Sequence, residues 1–146
     1  MKQYIVDAFT DKPFSGNPAA VCVMENWPSE DFMMKLAGEN NLSETAFIVK
    51  KAEQYHLRWF TPGTEVDLCG HATLASAFVI LNYYRTGTSV FFQSRSGMLK
   101  VTRSGSVYRM DLPTYELREI PVTDRMERAF GFRPIRALLG LDLVCV

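Results

Sequence analysis

Residues 72–84, ATLASAFVILNYY, hold no charge, and Thr73, Ser76 and Asn82 are the clearly polar breaks. The stretch has the length of a helix and is apolar on every side. Such a helix must be buried all round. It is shorter than the roughly 18 apolar residues read as a bilayer span, so protein has to cover it. The economical cover is a strongly curved sheet, and this one segment therefore constrains the whole architecture.

The flanking sequence offers that sheet. Residues 3–9, 19–24, 44–50 and 55–60 read as strands before the helix, and 89–94, 97–103 and 106–112 after it. In YHLRWF, Tyr55, Leu57 and Trp59 alternate with His56, Arg58 and Phe60. Turn-rich stretches separate the strands: TDKPFSGNP, Thr61-Pro62-Gly63, Ser94 to Gly97, and Arg103 to Gly105. A first helix is expected with Ser29 as N-cap, Glu30 and Asp31 in its first turn, and an apolar stripe of Phe32, Met33, Leu36 and Ala37. Gly38 and Asn40-Asn41 end it. The expected fold class is α+β, a curved, mostly antiparallel sheet wrapped around the central apolar helix, with the first helix outside.

This arrangement fills residues 1–112. Residues 113–123, PTYELREIPVT, contain two prolines and read as a linker. Residues 124–146 read as the start of an incomplete second domain, with a short helix from Asp124, taken as N-cap, to Gly131. The apolar strand LDLVCV then calls for neighbours, from a following segment or another chain.

Composition narrows the function classes. Hydrophobic residues make up 47% and charged residues 22%, as in a globular protein with a real core. Lys+Arg and Asp+Glu balance at 16 each, which leaves no basic footprint for nucleic acid or an anionic membrane. The start, MKQYIVDAF, lacks a signal-peptide apolar region. Three scattered cysteines (Cys22, Cys69, Cys145) argue against a disulfide framework or a CxxC zinc site and favour a reducing cytoplasm. Two histidines, His56 and His71, argue against a His-rich metal site.

Chemistry concentrates at Cys69-Gly70-His71, where the apolar helix starts. First-turn N–H groups have no intrahelical partner and carry the positive end of the dipole, so they suit a carboxylate or phosphate. Alternatively, Gly70 is only a turn residue and those groups meet water or Asp67. His71 reads as a proton donor or substrate hydrogen-bonder, or else as a capped histidine. Cys69 reads as a thiol base or nucleophile, or else as a buried structural cysteine. Glu44, where a helix end turns into a strand, faces solvent or a cleft. Glu65 and Asp67 read as caps or dipole partners, and Asn17 as a turn residue in SGNP. No P-loop, GxGxxG, HExxH or GxSxG occurs. The residues alone yield a curved-sheet domain with a candidate anion site, not a reaction.

Three blocks add a resemblance: YIVDAFTDKPFSGNPAAV (4–21), ENNLSETAFIV (39–49) and RWFTPGTEVDLCGHATLASAFVI (58–80). In this order and spacing the chain resembles the phenazine-biosynthesis PhzF-like isomerases, relatives of diaminopimelate epimerase. Members have two similar halves, each a curved sheet around a central helix, with the active site between them. This chain is similar to the first half plus the opening of the second. No Gly-Ser-rich start of a second central helix follows Arg118.

The resemblance implies roles. Glu44 matches the acid/base carboxylate that moves a proton between substrate carbons. Gly70 and His71 match helix-start residues that bind a small carboxylate substrate and orient the transfer. Cys69 stands where the epimerases carry a catalytic cysteine, and Asn17 matches a GNP turn near the cleft, as a further substrate-binding residue of weaker claim. No cofactor or metal is implied. The facing half-site would come from a homodimer partner or a complementary second-half chain. Two alternatives stand beside this isomerase reading: a catalytically inactive fragment that pairs with another chain or binds a small anion, and a Cys-dependent racemase.

Overall fold

The computed structural model describes residues 1–112, 116–140 and 143–145, and in it the apolar stretch is a helix, Gly70–Tyr83, with Cys69 as N-cap. In chain order the elements around it are β1 (Lys2–Ala8), β2 (Asn17–Met24), α1 (Glu30–Asn40), β3 (Glu44–Lys51), β4 (Gln54–Phe60), β5 (Glu65–Val66), the helix itself as α2, β6 (Ser89–Ser94), β7 (Gly97–Ser104) and β8 (Val107–Asp111). They belong to one of two compact units, Met1–Leu112 and Pro113–Val146.

The sheet runs β1-β2-β3-β4-β6-β7-β8, with β5 paired to β4. β2 and β3 are parallel, as are β4 and β6, and the remaining pairs of this sheet are antiparallel. The two parallel pairs fall where a helix is inserted between the strands, because a parallel neighbour needs a crossover. Alternation sorts the side chains into two layers. Tyr4 and Val6, Ala19 and Val21, Ala46 and Ile48, Leu57 and Trp59, Val90 and Phe92, Leu99 and Val101 pack around α2. Cys22, Phe47 and Phe60 face the other way and pack with Met33 and Ala37 of α1. A slip of one residue in any strand would exchange the layers.

The polar breaks of α2 do not disturb it. The Thr73 and Ser76 hydroxyls are buried and donate to the carbonyls of Cys69 and Ala72, one turn back. For α1, Ser29 Oγ accepts from Phe32 N–H at 3.2 Å, and Asn41 closes the helix with φ 49°.

Strand directions decide where chemistry can gather. β2 and β3 both start at the same sheet edge, at Asn17 and Glu44. β1 and β4 end there, with Ala8 opposite Asn17 and Phe60 opposite Thr45. Gly16 makes the entry to β2 at φ +84°, and a Cβ on it would run into Ala8 O and Thr10 Cγ2.

The second unit holds β9 (Arg118–Ile120), α3 (Asp124–Phe130), β10 (Ala137–Leu139) and β11 (Leu143–Cys145), with the strands in the antiparallel order β11-β10-β9. β9 lies inside the stretch expected to be a linker, since three residues between prolines carry no readable period. Thr123, not Asp124, is the N-cap of α3: its backbone is extended and its Oγ1 accepts from Met126 N–H at 3.3 Å. Asp124 instead occupies the first turn, where its charge meets the helix dipole. Of the expected strand LDLVCV, positions 141, 142 and 146 lie outside the described residues. Among the described residues no helix is long and apolar enough to cross a membrane.

Candidate active site

Glu44 is the first residue of β3 and shares its strand face with Ala46 and Ile48, the face turned toward α2. Its carboxylate therefore meets the start of that helix. Oε2 of Glu44 lies 3.3 Å from Nε2 of His71, with the two side chains 19% and 8% exposed. The distance is that of an ion pair if the imidazole is protonated, yet the angles do not make a hydrogen bond. Both atoms are buried without a hydrogen-bond partner. Unpaired polar atoms at such depth are costly, and these two stand against each other at the start of α2.

The other imidazole nitrogen, Nδ1, is 3.5 Å from Cys69 Sγ. Burial pushes the Cys69 thiol up to about 12, and the neighbouring Glu44 carboxylate adds to the rise. The N–H groups of Ala72 and His71 pull in the opposite direction but lose. They approach the sulfur without completing a side-chain cap of the helix. Cys69 is accordingly a neutral thiol near neutral pH. The first turn of α2 has no acidic residue of its own, and the carboxylate that lies against its His71 side chain is Glu44 of β3. At Gly70 a Cβ would touch little, with Met110 Cε the nearest atom at 3.8 Å, and the backbone there is open to close approach.

Glu44, Cys69 and His71 place one donor atom each within 4.8 Å of one another, a set that could hold a divalent cation. The two imidazole nitrogens serve different neighbours, however, and an ion takes only one of them. The arrangement as it stands suits proton handling. Asn17 lies at the same sheet edge, on the β2 face shared with Ala19 and Val21. No described hydrogen bond ties its side chain to the other four candidates.

Two features escaped sequence reasoning. Trp59 is 1% exposed, faces α2 from β4 opposite Ala46, and has an unpartnered Nε1. Glu65 is neither cap nor dipole partner. It forms a bidentate pair with Arg58, at 2.7 Å to Nε and 2.6 Å to the terminal nitrogen. Sequence offers no signal for that pair beyond two opposite charges seven residues apart.

The first unit is thus a half-barrel closed on a buried helix, with the Glu44 carboxylate and the His71 imidazole together at the start of that helix. The phenazine biosynthesis-like protein family (PhzC-PhzF) matches residues 6–130, and the chain belongs to it. An uncharacterized isomerase of Pseudomonas aeruginosa is 44% identical over 142 residues, covering 97% of this chain and 54% of the relative. A human phenazine biosynthesis-like domain-containing protein is 48% identical over 121 residues, covering 77% and 42%. Among solved structures, a PhzF-family protein of Enterococcus faecalis has a TM-score of 0.88 at 51% identity, over 98% of this chain and 55% of that one. An epimerase-described protein of Pseudomonas aeruginosa, at 20% identity and TM-score 0.71 over 94% and 56%, shares the fold. The chain thus spans about half the length of the relatives it matches.

Proposed function

We propose that the chain supplies one side of a cofactor-independent isomerase site that moves a proton between carbons of a small carboxylate substrate. The observation that carries this reading is the buried pair of unpartnered atoms, Glu44 Oε2 and His71 Nε2, 3.3 Å apart at an uncapped helix start. The α2 N–H groups and the open backbone at Gly70 hold the substrate carboxylate. Glu44 takes the proton from carbon and returns it at the second position. His71 orients the substrate and steadies the charge that develops beside Glu44. Asn17, on the same edge, contributes a substrate contact. The neutral Cys69 thiol suits a hydrogen-bond donor to Glu44 better than the thiolate base a Cys-dependent racemase needs.

The chain spans about half of each relative, and in this reading the facing side of the cleft comes from outside residues 1–146, whether from a following segment, a second copy of the chain or a complementary second-half chain. The test is deuterium incorporation from heavy water into a panel of small carboxylic acids with an acidic C–H, by the chain alone and with the second half of a relative supplied. General acid/base groups contribute about 10²–10⁴-fold, so Glu44→Gln is expected to slow exchange by that order. An equal rate in both conditions removes Glu44 from the role. Absence of exchange by the parent in both conditions favours the second reading, an inactive fragment that pairs with another chain.

A further inference from the structure

The start of α2 must be held against Glu44, yet little backbone holds it. The preceding strand β5 is two residues long, pairing Glu65 with Phe60 and Val66 with Trp59. Side chains do the rest. Arg58 leaves β4 on the face away from α2, and its guanidinium lies 5.7 Å from the Trp27 ring and 5.2 Å from the Phe60 ring. From there it grips both carboxylate oxygens of Glu65, with side chains only 20% and 10% exposed. Arg95, from the β6–β7 turn, reaches the same carboxylate at 2.7 Å. Ser96 Oγ from that turn donates to the carbonyl of Asp67 at 2.8 Å. The Glu30 contact to Arg58 is on an exposed carboxylate and adds little. The run from Glu65 to Asp67 is thereby pinned from two sides, immediately before Cys69 and His71. Its anchor, β4, is also the strand paired with β3, which carries Glu44.

We infer that Glu65 is a positioning residue: clamped by Arg58 and Arg95, it fixes the start of α2 so that His71 and Cys69 stay against Glu44. The inference rests on the proton-transfer reading for its functional meaning but not for its geometry. A fork-to-carboxylate pair is specific to arginine, because lysine keeps the charge and loses the second bond. Arg58→Lys is therefore the informative variant, with Glu65→Gln as the complementary one.

The experiment is site-resolved thiol labelling by mass spectrometry, with the His71 ring proton resonance as a second readout. Cys69 follows the helix start, whereas Cys22 is a buried thiol in β2 that reports on the whole fold. Loosening of the clamp is expected to raise Cys69 labelling by roughly tenfold through local opening, with Cys22 unchanged and the His71 resonance displaced while His56 stays. Equal acceleration at Cys22 and Cys69 would make the clamp a general stabiliser and overturn the positioning role. So would unchanged labelling and an unmoved His71 resonance in both variants. Neither result depends on turnover, so inactivity of Glu44 would be seen separately, in the exchange assay.

Discussion

Cys69 illustrates how far the chemistry of one side chain depends on what the fold puts beside it. At a helix start with a free first turn, a cysteine is expected to be acidified. Here burial and the Glu44 carboxylate outweigh the N–H groups, and the thiol rises to about 12. Glu44→Gln removes one of the two causes, so Cys69 is expected to be alkylated faster in that variant than in the parent at the same mildly alkaline pH. An equal or slower rate, followed by mass spectrometry of the Cys69 peptide, would contradict the electrostatic coupling between them. At this scale the sequence singled out Glu44, Gly70 and His71 through their blocks, and the structure brings Glu44 to within 3.3 Å of His71 at the start of α2. Sequence reasoning misread Glu65 as a cap or dipole partner, because pairing with Arg58 requires knowing that β5 folds back on β4. It was also silent on the sign of the Cys69 shift, which is set chiefly by burial, with the Glu44 carboxylate from β3 adding to it.

Elements carry the next set of consequences. α2 contributes Ala75, Val79 and Ile80 to the core, each nearly or fully buried. Truncating Ile80→Ala should cost about 2–5 kcal/mol, read from the denaturant midpoint. A cost far below that would mean the sheet does not enclose the helix as described. Gly16→Ala forces a side chain into a left-handed backbone and against Ala8 O, and should cost about 1–3 kcal/mol. Differential scanning calorimetry checks it, and an unchanged melting temperature would refute the strain. The long elements were legible from their patterns: β1, β4 and β6 to β8 alternate, β2 and β3 are continuous apolar runs, and α2 is uniformly apolar. β5, β9 and β10 were not, since two or three residues hold too little of a period to be told from a turn. The cap of α3 moved by one residue for a similarly local reason. Thr123 and Asp124 are both good caps, and only the backbone geometry chooses between them.

For the molecule as a whole, the buried thiols set a pH limit. Folding raises Cys22, like Cys69, from 9.0 to about 12, in both cases chiefly by burial. The folded state thus holds these protons more tightly than the unfolded one. Their contribution to stability is fully present below about pH 9 and is lost as pH rises toward about 12. Urea midpoints measured across that window should fall less steeply in Cys22→Ala than in the parent. Parallel curves would show that the thiol does not report on burial. The sequence by itself determined that an uncharged helix had to be wrapped, because unburied apolar surface of that extent has no stable alternative in water. It also determined which segments are strands that could wrap it. Only the tertiary structure decided that Asn17, Glu44 and the start of α2 share one edge. That outcome follows from strand direction and register, which no local pattern encodes. It is also what brings Glu44 and His71, 27 positions apart in the chain, to within 3.3 Å of each other.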